Sequence, residues 1–372
     1  MHSKIKLGVD LSSLVQPLTG IGFYTQKMLE SLKPAETSIV GFLPKPLATV
    51  SLPFPVKFPP VAMQNLPLWP HLWRTFFLSK QLQKTDLDVF WSPRHILPYS
   101  KIPGIPYVLT IHDLVWKICP ETMDKRNYYH EKLLMPHSVK NADAIICVSQ
   151  TTKQDLMHFL KVPENKIHVT YLAPVHMINS SSTVSAAYSN LHQNKSFILS
   201  LGTQEPRKNQ RRLIEAYGNL PIELREQFKL VIVGKKGWGD VNLQAFVQEK
   251  KLENFVLIYD YLPEEIVSYL LQAAYCLAFP SLYEGFGLPL VEAMAMGTPV
   301  ITSNIGAMAE IVQDAACLID PYSVGSIRDG LQTLLENQSI RQKLKEKGLE
   351  RGRFFVWGNA AEQFNKIIHK LI

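Results

Sequence analysis

The sequence predicts an α/β chain of two doubly wound domains in series. Short runs of apolar and β-branched residues recur along it: "KIKLGVD", "YVLTIHD", "AIICVS", "SFILSLG", "KLVIVG", "NFVLIYD" and "CLAFPS". Uninterrupted apolar runs are what strands buried on both faces of a parallel sheet require. More polar stretches with helical spacing lie between them, such as "YTQKMLESL", "QDLMHFLK", "RRLIEAYGNL" and "EEIVSYLLQAA". Two such series fall either side of the polar run "NSSSTVSAAYSN", and 372 residues suffice for two separate cores. The expected boundaries are 1–178 for an N-terminal domain, 179–195 for a linker region, 196–355 for a C-terminal domain and 356–372 for a last helix.

Composition narrows the class. No stretch matches the eighteen or so apolar residues of a membrane span, and Met1 to Leu14 lacks the apolar core of a signal peptide, so a cytoplasmic protein is expected. Cys119, Cys147, Cys276 and Cys317 are far apart, which fits reduced thiols rather than a disulfide or metal framework. The net charge of +7 is held by the first half, where residues 1–175 carry 19 Lys/Arg against 12 Asp/Glu. A basic half suits an anionic partner such as a lipid-linked phosphate or a phospholipid surface. No zinc-finger spacing or RNA-recognition signature is present, so nucleic acid is not expected as a partner.

Along the first domain, "TGIGFYT" holds Gly20 and Gly22 but has Thr25 where a dinucleotide fingerprint needs a third glycine, which argues against a nicotinamide enzyme. The stretch Leu66 to Lys84 combines Trp69, Trp73, Phe76 and Phe77 with Arg74, Lys80 and Lys84, the pattern of a buried amphipathic helix or of a membrane-surface element. Asp86 and Asp88 make a D-x-D that runs straight into the apolar "VFWSP", a strand approach rather than a metal site. His112 and Asp113 follow the strand "YVLTI".

In the second domain, "CLAFPS" reads as a strand and Pro289 to Met296 as a helix with Gly297 beyond its end. Glu284 then lies on the preceding loop and Glu292 one turn inside the helix, leaning back toward its N-terminus. Gly285, Phe286 and Gly287 between them present backbone N–H groups in the positive field of the helix end, a setting for a phosphate flanked by hydroxyl groups. After the strand "SFILSLG", Arg207 and Lys208 precede another helix, with no evident structural need, and suit a diphosphate.

Taken together, "SLYEGFGLPLVEAMAMGTPVITSN", "LGTQEPRKN", "QDAACLIDP", "LTGIGFYTQKML", "TIHDL", "ADAIICVSQTTKQDL" and "FFVW" resemble glycosyltransferase family 4, retaining enzymes of the GT-B fold. The resemblance implies two Rossmann-like domains facing across a cleft, with a C-terminal helix crossing back to the first. It implies that Arg207 and Lys208 bind the diphosphate of a nucleotide sugar, that Glu284 contacts the transferred sugar, and that Glu292 holds the ribose. The backbone at Phe286, Gly287 and Leu288 would meet phosphate or sugar, His112 would face the sugar, and Gly20 and Gly22 would form a glycine loop near the phosphate. Two departures stand out: Thr203 follows Gly202 where many relatives have arginine, and "YLAPVHM" replaces an Asn-Gly pair.

The activity so implied is hexose transfer from GDP-mannose or UDP-glucose to a glycan or lipid-linked acceptor in cell-envelope polysaccharide synthesis, without cofactor or metal. A peripheral contact with the inner membrane face through the first domain is left open. The alternatives of another class are a GT-B protein that binds nucleotide sugar without transferring it and a nucleotide-sugar epimerase.

Overall fold

The computed structural model describes residues 4–14, 18, 20–46, 53–58, 73–175, 196–239 and 242–372. The expected linker, 179–195, and the aromatic stretch before Trp73, Trp69 included, lie outside the described residues. The chain forms two compact units: Met1–Lys117, Lys125–Leu172 and Val356–Ile372 make the first, Ile118–Asp124 and Ala173–Phe355 the second.

The first unit is built on a seven-stranded sheet ordered β3-β2-β1-β4-β5-β6-β7. Its strands are β1 (Ile5–Asp10), β2 (Thr37–Phe42), β3 (Val56–Lys57), β4 (Val89–Ser92), β5 (Tyr107–Ile111), β6 (Ala144–Cys147) and β7 (Ile167–Val169), all parallel. Central β4, β5 and β6 are buried at every position, as their unbroken apolar sequences require. Helix α1 (Gly20–Ser31) and helix α2 (Lys125–Asn141) flank the sheet.

The second unit carries a six-stranded parallel sheet ordered β10-β9-β8-β11-β12-β13. Its strands are β8 (Ser196–Leu201), β9 (Phe228–Val233), β10 (Val256–Tyr259), β11 (Cys276–Phe279), β12 (Val300–Ser303) and β13 (Cys317–Ile319). Helix α3 (Gln210–Gly218) follows β8, and helix α4 (Leu288–Ala295) follows β11. The last helix, α5 (Trp357–His369), belongs to the first unit, where Trp357 packs on Tyr24 at 6.2 Å and Phe364 on Trp91 at 4.7 Å between ring centroids.

Both sheets reverse their winding at the first strand. β1 lies between β2 and β4, and β8 between β9 and β11, so the loops leaving each pair diverge and open a crevice at the strand C-termini. Functional groups belong on the segments after β1, β4 and β5 in one unit, and after β8 and β11 in the other.

The backbones crowd there. After β8 and β9, the Gly202 N–H donates to Val233 O at 3.0 Å, and a Cβ on Gly234 would sit 1.9 Å from Gly202 O. The Gly234→Ala variant is therefore expected to lose about 3 kcal/mol of stability in urea unfolding, as forced overpacking does. A loss below about 0.5 kcal/mol would show that these loops separate without strain.

Candidate functional site

The second unit holds the denser cluster. β8 and β11 are neighbours, so the loop carrying Arg207 and Lys208 lies beside the one carrying Glu284. Arg207 Nη1 reaches Glu284 Oε2 at 2.7 Å and Lys208 Nζ reaches Glu284 Oε1 at 2.6 Å, so each cation holds one oxygen of the carboxylate. Arg207 also donates to Tyr283 O at 2.7 Å and to Glu205 Oε1 at 2.5 Å. Lys208 lies over the Phe279 ring at 5.0 Å. The expectation that the two cations have no structural need is thus corrected: they neutralise two buried carboxylates, which would otherwise be too costly to bury.

Burial alone would raise the Glu284 pKa, but Arg207 and then Lys208 outweigh it and hold the carboxyl down at about 2. Glu284 is ionised throughout the physiological range.

Asn209 completes the loop, and sequence reasoning passed over it. Its backbone is left-handed (φ 59°), and its amide donates to Pro280 O at 3.0 Å and Pro321 O at 2.7 Å, which ties the Arg207 loop to the segments after β11 and β13. Glu205, the second buried carboxylate, was also passed over. Asn209 does not announce itself locally, because its partners Pro280 and Pro321 are brought close by fold topology alone, whereas Glu205 pairs with Arg207 two residues on in the same loop.

Gly287 precedes α4 in a left-handed conformation (φ 97°) that favours glycine, and α4 starts at Leu288, one residue earlier than expected, with Pro289 in its first turn. Phe286 turns its ring into the core against Phe355 at 5.8 Å, and Gly285 is buried, so at these positions only backbone can meet a ligand. Glu292 is buried inside α4, where Oε1 accepts the Val175 N–H at 3.2 Å. It thereby anchors the chain entering this unit. A polar cavity of about 480 Å³ opens at the ends of β8, β9 and β10, lined by Gln204, Lys236, Asn242, Ile258 and Asp260. A cavity of about 510 Å³ in the first unit, between α1 and β2, has mainly apolar walls and contains none of these residues.

In the first unit, His112 is buried at the end of β5, with Nε2 at 2.8 Å from Pro93 O and the Tyr24 ring edge-on at 4.8 Å. Burial, then His95, drives its pKa down to about 3, so the ring is neutral and donates through Nε2–H. Nδ1 is then the acceptor. Gly20 and Gly22 do not form a loop; they open α1, and a Cβ on Gly22 would meet Ser13 O at 2.7 Å, so this glycine admits the chain after β1 against the helix. Arg74 is buried rather than on a polar face, with Nε on Asp10 Oδ2 at 3.1 Å and Nη2 on Ser12 Oγ at 2.8 Å. The D-x-D clasps the start of β1 from the approach to β4: Asp88 accepts the Lys6 N–H at 2.7 Å, and Asp86 pairs with the Lys6 ammonium. The four cysteines are free thiols.

Two parallel, doubly wound units in one chain, with the last helix returned to the first and a charged clamp at the switch point of the second, define a glycosyltransferase of the GT-B class. The family model "Glycosyltransferase Family 4" matches residues 20–173, and "Glycosyl transferases group 1" matches residues 184–351. Among curated relatives, the chain is similar to the O-antigen chain mannosyltransferase B of Escherichia coli, 32% identical over 284 residues, covering 74% of this chain and 72% of that one. Among solved structures it is similar to the sucrose-phosphate synthase of Thermosynechococcus elongatus (TM-score 0.79, 19% identity, 99% of each chain covered). It is similar also to Anabaena Alr3699/HepE in complex with UDP (TM-score 0.73, 18% identity, covering 98% of this chain and 100% of that one). The chain belongs to glycosyltransferase family 4. Among the described residues, no helix is long and apolar enough to cross a membrane.

The clamp makes stability depend on acid pH. Because the folded-state pKa of Glu284 is depressed to about 2, its contribution is present above the unfolded value and is lost as pH falls toward the folded one. That contribution is on the order of 3 kcal/mol. Urea unfolding of the wild type should lose it between about pH 5 and pH 2, and Glu284→Gln should be less stable at pH 7 with a shallower acid slope. Equal slopes would mean that the two cations do not hold this carboxylate.

Proposed function

We propose that the chain is a retaining hexosyltransferase using a nucleotide diphosphate sugar, GDP-mannose or UDP-glucose, as donor, and a glycan or lipid-linked acceptor in cell-envelope polysaccharide synthesis. The observation that carries this reading is the Arg207–Lys208–Glu284 cluster at the switch point of the second sheet. A guanidinium and an ammonium, both held in place by Glu284, lie on the loop beside the one that leads to the positive end of α4, which suits a diphosphate, while the ionised carboxylate suits sugar hydroxyls. The mannosyltransferase activity of the Escherichia coli relative supports mannose as the sugar, and the UDP bound to the Anabaena structure supports a nucleoside diphosphate.

On this reading the polar cavity beside Gln204, Lys236 and Asp260 takes the nucleoside. The bond from the anomeric carbon to the β-phosphate oxygen breaks, and its electron pair goes to the diphosphate. Arg207, Lys208 and the α4 N-terminus stabilise that growing charge in place, with no metal in the scheme. An acceptor hydroxyl bonds to the anomeric carbon on the face the phosphate leaves, and its proton passes to the leaving phosphate. Glu284 orients the sugar: with both oxygens already held by cations it is a poor nucleophile. Glu292 is the proposed ribose contact, Gly285, Phe286, Gly287 and Leu288 offer backbone to phosphate or sugar, and neutral His112 is a proposed sugar contact. The acceptor binds the first unit, whose basic excess suits an anionic carrier at the inner membrane face.

The test is thermal stabilisation by UDP, GDP and ADP in EDTA, with wild type, Arg207→Ala and Lys208→Ala. We expect one nucleotide to raise the Tm of the wild type by several degrees and neither variant to respond. If no nucleotide stabilises the folded wild type, with or without magnesium, the diphosphate reading is wrong.

A further inference from the structure

At the C-terminal edge of the first sheet, three segments far apart in sequence bring together groups that the transfer scheme above does not use. His95 follows β4, Asp113 follows β5, and Glu131 lies on α2. One potential ligand atom from each lies within 4.8 Å of the other two. Yet His95 Nδ1 and Glu131 Oε1 are 3.8 Å apart, too long for a hydrogen bond. Glu131 Oε2 is buried and has no hydrogen-bond partner among the described residues. A buried carboxyl oxygen without a partner calls for an explanation, and a ligand that bonds to it is one.

The spacing leaves room for a small group hydrogen-bonded to all three, since O–H···O bonds are about 2.8 Å long. The tautomer says what kind of ligand. The His112 N–H donates to His95 Nε2 at 3.1 Å, so in the neutral ring the proton sits on Nδ1, which faces Glu131 as a donor and is closed to a metal.

We propose that His95, Asp113 and Glu131 form a three-point pocket for one hydroxyl group of the acceptor sugar, with Glu131 as a residue that determines acceptor binding. This rests on the glycosyl-transfer reading and assigns part of its acceptor site. The hydroxyl donates its proton to Asp113, whose Oδ1 also takes the Val115 N–H at 3.2 Å, and accepts from His95 Nδ1–H and from the protonated Glu131 carboxyl. One donor and two acceptors are all that a hydroxyl has, and all are matched.

The surroundings keep Glu131 protonated at neutral pH. Burial comes first, then the like charge of Asp113, and together they push its carboxyl up to about 8 against the opposing pull of Arg94. The groups facing it are Arg94 and His95 from the segment after β4, and Asp113 from the segment after β5, with neutral His112 behind His95 at 5.5 Å between rings.

The experiment uses the full chain and follows nucleoside diphosphate release from GDP-mannose and UDP-glucose, alone and with methyl α-mannoside, methyl α-glucoside or N-acetylglucosamine. It compares wild type, Glu131→Ala and Glu131→Gln across pH 6–9. Release stimulated by one of these sugars should fall at least about tenfold in kcat/KM for Glu131→Ala, and Glu131→Gln, whose amide keeps a donor, should retain most of it. In the wild type the stimulated rate should decline above about pH 8 as Glu131 ionises, and the Gln variant should lose that decline. Thermal stabilisation by UDP or GDP should be equal in all three, which separates this inference from the donor reading: without nucleotide binding in the wild type, the donor reading itself fails. Nucleotide binding with no sugar-stimulated release, or equal stimulation in wild type and Glu131→Ala, overturns the inference. So does stimulation abolished by EDTA and restored by a divalent ion in the wild type only, since the cluster would then be a metal centre.

Discussion

The grip of Arg207 and Lys208 on the two oxygens of Glu284 is the constraint on which the second unit's chemistry depends. A carboxylate as buried as Glu284 would be expelled or protonated without partners, and two cations so close would repel each other without a carboxylate. Each group is tolerated because of the others. The topology supplies the rest: β8 and β11 are adjacent, and the Leu282 N–H donates to Arg207 O between their following loops, so charges 76 residues apart meet above the sheet edge. Asn209 then secures the arrangement by holding the backbone after β11 and after β13 with one amide. What this yields is pre-organisation. The cations are already positioned, and on the proposed reading an arriving diphosphate would have only to compete with Glu284 and Glu205 for their donors.

How much of this could be read in the chain depends on the range of each interaction. Strands such as β4, β5 and β11 are apolar throughout because both faces are covered, and such runs are visible in any window. β7 and β13 are three-residue edge strands, too short to carry a pattern. Glu284, Glu292, Arg207 and Lys208 could be singled out because each stands beside a helix start that glycine and proline mark. Arg74 misled for the opposite reason: amid Trp73, Phe76 and Phe77 it looked like the polar face of an amphipathic helix, and only a partner 64 residues away, Asp10, explains its burial. His95, Asp113 and Glu131 belong to three segments; Asp113 stands in "TIHDL" at a strand end, but nothing local ties it to His95 or Glu131.

The two units meet the same geometric opportunity with different chemistry. Each presents polar groups at the C-terminal ends of its strands; in the second unit cations hold Glu284, while in the first the buried Arg74–Asp10 pair closes β1 and the groups after β4 and β5 include the neutral His95 and His112. Around Glu284 the cations lower a carboxyl pKa in spite of burial; around Glu131 a neighbouring carboxyl adds to burial and raises one. Burial is similar in kind, and the sign of the nearest charge decides the outcome. His112 and His95 are likewise kept neutral, chiefly by burial.

That division fits what each half of a glycosyl transfer must bind. A diphosphate is a doubly charged leaving group, recognised by fixed cations whose attraction grows as its charge grows in the transition state. A sugar acceptor offers hydroxyl groups that are both donor and acceptor, and a fully charged pocket would satisfy only one of those capacities. A protonated carboxyl next to one that accepts, with a neutral imidazole whose tautomer is set by the His112 N–H, satisfies both and rejects an atom that cannot also donate. The raised carboxyl of Glu131 is in this light a means of presenting a hydroxyl donor that ordinary aspartate or glutamate at neutral pH cannot offer, and burial first, then the like charge of Asp113, maintains it.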